Sequence, residues 1–235
     1  MKADKALVLP PFERPDGMPT HEFIHRRLRR AIMTGAVRPG VALTIRGIAE
    51  AMQASPTPVR EALRRLSSEG ALQVLDNRRI VVPTMTAERF EELVALRTVL
   101  EAHAGRRAIP FITERQIDAI AGMDLAIDAA IADGDRALAQ SRNQQFHRMI
   151  YTANPDALAM PMVESIWLQL GPFMGIAMAH VQSLYVVDRH REILDALRKR
   201  DGEALAGAIE SDIREGIGGF NRAAIERLLA LAGQP

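Results

Sequence analysis

Cysteine is absent from this 235-residue chain. That excludes disulfides, Cys-ligated zinc, iron–sulfur clusters and thiol catalysis together. Lysine is scarce: only Lys2, Lys5 and Lys199 occur among 30 basic residues, so arginine is the default cation and a lone arginine carries little meaning. Long hydrophobic runs are also missing. The longest stretch free of both charged residues and histidine, Ser165–Ala179, has 15 residues and contains Gln169 and Pro172, too short and too broken to span a bilayer. The N-terminal MKADKALVLPPFERPDG lacks the apolar core of a secretory signal. These absences predict a soluble, cytoplasmic protein with no membrane partner and no covalent staples.

Apolar residues make up 48% and charged residues 25%, ordinary proportions for a folded chain long enough for two modest domains. The net charge of +1 conceals an asymmetry. Residues 1–85 carry 14 Lys/Arg against 8 Asp/Glu, and residues 86–235 carry 16 against 21. A basic N-terminal third suits a polyanion and the acidic remainder does not, so two parts with two jobs are expected.

Residues 1–19, broken by Pro10, Pro11, Pro15, Gly17 and Pro19, read as a flexible arm. Thr20 is the expected cap of a helix with Ile24, Leu28, Ala31 and Ile32 on one face, closed by Gly35. Ile45, Ile48, Ala49 and Met52 mark a second, short helix. Ser55-Pro56-Thr57-Pro58 opens a third, which buries Val59, Ala62, Leu63 and Leu66 and ends at Gly70. The period then becomes strand-like: Leu72–Leu75 and Ile80–Val82 flank Asp76-Asn77-Arg78-Arg79, a hairpin with a basic tip. Three helices and a hairpin between Thr20 and Pro83 make a winged helix-turn-helix. In its third helix Arg60 and Arg64 share the face opposite the apolar set. Arginine there can pair with guanine edges or phosphate, or simply form a solvated face with Glu61 and Arg65. Thr57 at the helix start offers a hydroxyl or backbone N–H to phosphate, Arg46 opens the preceding helix, and Asn77 and Arg78 at the hairpin tip can enter a minor groove.

The segment from Val37 to Val82 resembles the N-terminal domain of GntR-type transcription regulators. Val37-Arg38-Pro39-Gly40, Ile48-Ala49, the run TPVREALRRL from Thr57 to Leu66 and then Glu69-Gly70 carry the likeness. The resemblance implies DNA contacts from Arg46, Thr57, Arg60 and the wing tip. One departure stands out: the family commonly has Arg where this chain has Pro56, which puts the usual operator preference in doubt.

From Thr86 onward the pattern is helical, with expected helices over Glu88–Ile109, from Thr113 to Asp133, from Asp135 through Ile150, from Asn154-Pro155 to a kink or end at Pro172, over Val187–Lys199 and over Glu203–Leu231. The fold class is thus mainly α: a winged helix-turn-helix (20–84), then an all-α antiparallel bundle of about six helices (85–235) for effector binding and dimerisation. Leu96-Arg97-x-x-Leu100-Glu101, Asn143-x-x-Phe146-His147 and Asp188-Arg189-His190-Arg191 resemble the ligand-binding (FCD-type) domain of the FadR-like branch of the same family. That likeness implies a divalent-metal site of Asn143, His147, His190 and Asp212, with Asp212 where a third His is usual. This mixed N/O set suits Zn²⁺, Ni²⁺ or Mn²⁺. By spacing alone, Asn143 and His147 share a helix face and read more readily as packing or hydrogen-bonding residues. Arg97 either faces an anionic effector beside His147 and His190 or pairs with Glu101. The Met-rich stretch from Met160 to Met178 reads as bundle core or pocket wall, and His21 and His25 as helix surface.

The expected function is a sequence-specific DNA-binding transcription regulator, not an enzyme. It would be a homodimer on a double-stranded operator, controlled by a small organic acid with or without a metal. The alternative is a helical-bundle metalloenzyme with an N-terminal docking domain. It is disfavoured because no nucleophile–base pair and no paired Glu-x-x-His repeats occur.

Overall fold

The structure is a computed structural model that describes residues 9, 12–76, 79–180 and 189–232. The chain forms two compact units. The first holds the N-terminal elements to Met85 and takes in Trp167–Ile176 from a later helix; the second holds Thr86–Ile166 and Ala177–Leu231. The expected division near residue 85 had left Trp167–Ile176 with the bundle.

In the first unit, helix α1 (Thr20–Met33), strand β1 (Ala42–Leu43), helices α2 (Ile45–Met52) and α3 (Pro56–Ser68), and strands β2 (Gln73–Val74) and β3 (Ile80–Val81) follow in order. Pro19, not Thr20, occupies the cap position of α1. Thr44 caps α2 by accepting from the Gly47 N–H at 3.0 Å. Ile24, Leu28, Ile32, Ile48, Val59, Leu63 and Leu66 are buried to within about a hundredth of full exposure, so the three helices share one core. The sheet order is β1-β3-β2, all antiparallel, with Leu43 opposite Ile80 and Val74 opposite Ile80. β1 was not anticipated, because two residues leave no period to read.

His25 corrects the expectation of a surface residue. It is 4% exposed, and its Nε2 lies 2.8 Å from Glu69 Oε1. Arg29 Nε reaches Glu69 Oε2 at 3.0 Å, and Arg65 reaches Oε1 at 3.1 Å. Burial pushes the Glu69 carboxyl up, but His25 and Arg29 outweigh it and hold it at about 2. The Glu-Gly pair after α3 thus ties α1 to α3.

In the second unit lie helices α4 (Ala87–Ala108), α5 (Glu114–Ala132), α6 (Arg136–Tyr151), the flanks of α7 (Met160–His180), α8 (His190–Lys199), α9 (Gly202–Glu215) and α10 (Arg222–Ala232). Thr86, Thr113, Asp135 and Asp201 cap α4, α5, α6 and α9 through their side chains. α4 packs on α9, α5 on α6, and α8 on α5 and α9.

Two expectations are corrected, and the alternatives at Pro172 are narrowed. Asn154 forms an Asx turn, its Oδ1 accepting from the Asp156 N–H at 3.0 Å, so α7 starts only at Met160. Pro172 does not end α7. An interior proline costs about 3 kcal/mol, but Trp167, Leu168, Leu170, Phe173, Met174 and Ile176 around it are all buried, at about 1.5–3 kcal/mol for each large side chain. The last long helix is two: a 3₁₀ turn at Ile217–Gly219 separates α9 from α10, and Asn221 starts α10 by accepting from the Ala224 N–H. Within the first unit, Gly35 (φ +72°) meets α7 backbone to backbone; a Cβ on Gly175 would lie 2.3 Å from the Gly35 oxygen.

Candidate functional site

On α3, Val59, Ala62, Leu63 and Leu66 face the core, while Thr57, Arg60, Glu61 and Arg64 are exposed. Arg60 and Arg64 make no ion pair among the described residues. Of the i, i+4 ion pairs that a solvated face would carry, Arg65–Glu69 is present among the described residues. Arg46 on α2 is 90% exposed and lies 3.0 Å from Glu50. Arg46, Pro56 and Arg60 line one groove of about 530 Å³ together with Ile45, Ala49 and Gln53. Four predicted residues, Arg46, Thr57, Arg60 and Arg64, therefore belong to neighbouring helix ends and exposed faces of the first unit. Asn77 and Arg78 lie outside the described residues. The hairpin that carries them is closed by the Leu75 N–H donating to the Arg79 carbonyl at 2.8 Å.

The second unit brings together His147 on α6, His190 on α8 and Asp212 on α9. Their nearest ligand atoms all lie within 4.8 Å of one another. His147 Nε2 is 3.2 Å from Asp212 Oδ2 and His190 Nε2 is 4.0 Å from Oδ1. Asn143, one turn before His147, has its amide nitrogen 3.3 Å from His190 Nε2. Both imidazoles are within about a hundredth of complete burial. Phe146 stacks on His190 at 4.2 Å between ring centroids. Burial pushes the Asp212 carboxyl up, but His147, His190 and the Arg189 backbone N–H overcome it and hold it at about 2.

Sequence reasoning missed the groups behind the two imidazoles. His190 Nδ1 lies 2.6 Å from Asp124 Oδ1 on α5, and His147 Nδ1 lies 3.2 Å from the Tyr151 hydroxyl. Tyr151 donates to Glu101 Oε2 at 2.8 Å, and burial together with Glu101 raises its pKa well above the usual tyrosine value. Arg97 Nε donates to Glu101 Oε1 at 2.6 Å, so the intrahelical pair is real. Arg97 also feels the cluster's charge: burial lowers its pKa, but Glu101 first, then Tyr151 and Asp212, raise it. Tyr151 sits four residues after His147, a spacing visible in the sequence. Asp124 had no local signal, since α5 meets α8 only in the folded chain.

A helix-turn-helix with a strand wing and an arginine-bearing third helix is the layout of a DNA-binding regulator. In the same chain, the helical unit encloses the cluster of His147, His190 and Asp212. The comparisons agree. Residues 20–82 match the family described as bacterial regulatory proteins, gntR family, and residues 92–215 match the FCD domain. The chain is 25% identical over 197 residues to the HTH-type transcriptional regulator McbR of Escherichia coli strain K12, covering 83% of this chain and 89% of that one. It is 26% identical to the HTH-type transcriptional repressor RspR of the same strain, covering 84% and 87%. The solved structure of E. coli McbR/YncC superposes with a TM-score of 0.80 at 24% identity, over 89% of this chain and 98% of that one.

The chain belongs to the gntR family of bacterial regulatory proteins, in the branch that carries an FCD domain. It is a DNA-binding transcription regulator rather than an enzyme. No helix among the described residues is long and apolar enough to cross a membrane.

Proposed function

We propose that this regulator works in the cytoplasm as a homodimer on a near-palindromic operator, and that a small organic acid bound in the helical unit changes its operator affinity. Two half-sites are needed because one winged helix contacts only a few base pairs. Arg60 and Arg64 would read base edges or phosphates, Arg46 and Thr57 would set the register on the backbone, and Asn77 and Arg78 would reach the minor groove. The exposed, ion-pair-free guanidinium groups of Arg60 and Arg64 on α3 carry this reading.

The effector site would be the His147–His190–Asp212 cluster with Arg97 at its edge. Arg97 commits Nε to Glu101, and its two outer nitrogens have no partner among the described residues. The donor set also fits a divalent ion. The buried His147 Nε2 has no hydrogen-bond partner although a carboxylate oxygen stands 3.2 Å away, an arrangement that a cation between them would satisfy. His147, His190, Asp212 and Asn143, its amide turned to present oxygen, would hold such an ion. Zn²⁺, Ni²⁺ and Mn²⁺ all accept mixed N/O donors, and the bound ion would supply a contact for carboxylate oxygens. Arg97 would orient that carboxylate.

An effector acts only through different affinity for the DNA-competent and DNA-incompetent arrangements, and the coupling is reciprocal. The test is a mobility shift with the DNA upstream of the protein's own gene, repeated with a panel of organic acids. Retardation that one acid weakens or strengthens, with the same factor appearing in that acid's affinity when operator is added, supports the proposal. A shift that no acid alters removes the sensor reading and leaves the DNA-binding one.

A further inference from the structure

We infer that Glu101 and Tyr151 are positioning residues that hold His147 as an Nε2 donor, an inference that rests on the metal reading of the cluster. A neutral imidazole carries its proton on either nitrogen, and only the other one can bind a metal. The partners decide which. Glu101 is fully buried and paired with Arg97 through Oε1, so Oε2 only accepts. The hydroxyl of Tyr151 has one proton, and it goes to that oxygen at 2.8 Å. The Tyr151 oxygen then has nothing left to give His147. It must accept, so the proton between the two residues, 3.2 Å apart, sits on His147 Nδ1. Donation runs from His147 through Tyr151 to Glu101, which also accepts from Arg97, and leaves Nε2 turned toward Asp212.

His190 is held in a parallel way. Its Nδ1 lies against the Asp124 carboxylate at 2.6 Å and its Nε2 faces Asp212 and Asn143. The two imidazoles therefore present the same nitrogen to the same carboxylate, one tethered directly to an acid and the other through a phenol. The phenol lets a carboxylate one residue farther away do the work that Asp124 does directly. Outer partners of this kind set ring orientation and donor strength, and their loss weakens metal binding by about 10–100-fold.

The experiment uses the full-length protein, Zn²⁺ alone and a competing chromophoric chelator. Tyr151→Phe removes the acceptor while Arg97 and Glu101 stay paired. Its zinc affinity is expected to fall by about 10–100-fold, with the far-UV circular dichroism of the zinc-free protein unchanged. In parallel, long-range ¹H–¹⁵N correlation of the wild-type imidazoles should show His147 protonated on Nδ1, with and without zinc. That spectrum needs no variant, so misfolding of Tyr151→Phe cannot shield the inference. A wild-type ring protonated only on Nε2, or a Tyr151→Phe protein that binds zinc as tightly as wild type, would overturn it. A wild-type protein that binds no zinc would overturn it together with the metal reading.

Discussion

Glu69→Gln tests the tie between α1 and α3. The substitution keeps the shape of the side chain and removes the charge that His25, Arg29 and Arg65 share. The shift of Glu69 from 4.5 to about 2 corresponds to about 3 kcal/mol at 1.36 kcal/mol per pH unit. The Glu69 and Arg29 side chains are 23% and 22% exposed, and Arg65 is 60% exposed. Solvent therefore reduces the effect, and a loss of about 2 kcal/mol at neutral pH is expected. The folded carboxyl titrates below the unfolded one, so its contribution is complete above the ordinary glutamate value of 4.5 and fades as pH falls toward 2. The variant should consequently be less stable than wild type at pH 7 and converge on it in acid. Trp167, the only tryptophan, is 4% exposed in the α7 stretch that belongs to the first unit, so its fluorescence in a urea titration reports this unit. A variant within about 0.5 kcal/mol of wild type at pH 7, or one whose acid profile runs parallel to it, would refute the argument.

Arg60→Ala should weaken operator binding by about 1–3 kcal/mol and relax sequence choice, as loss of a base-edge contact does; fluorescence anisotropy against operator and scrambled DNA measures both. Pro56→Arg, which adds a cation beside the Arg46–Arg60 groove, should tighten operator binding in the same assay. His147→Ala and His190→Ala should each abolish bound divalent metal while His103→Ala, an exposed residue of α4, should not, as read by elemental analysis after dialysis against Zn²⁺. Gly175→Ala forces a Cβ to 2.3 Å from the Gly35 oxygen and should destabilise the first unit by about 1–3 kcal/mol, visible as an earlier urea midpoint of Trp167 fluorescence.

Local signals accounted for most of the elements. The spacing of Val59, Ala62, Leu63 and Leu66 was enough to place Arg60 and Arg64 on the open face of α3, because helical periodicity acts within a few residues. Thr113, Asp135 and the left-handed glycines Gly35, Gly70 and Gly134 marked helix ends for the same reason. Where the ends were misread, at Asn154 and Gly216–Gly219, a local preference was passed over in favour of a longer period; at Pro172 burial kept the helix going.

Tertiary structure decided the partners. His25 looked like surface until α3 brought Glu69 to it from 44 residues away. Asp124 and Glu101 reached the imidazoles across 66 and, through Tyr151, 50 residues. The family likeness named Asn143, His147, His190 and Asp212 in the sequence, but which nitrogen of each imidazole faces the carboxylate follows from what stands behind the ring. That depends on how four helices pack, and a hydrogen bond between distant residues leaves no period in the chain that makes it.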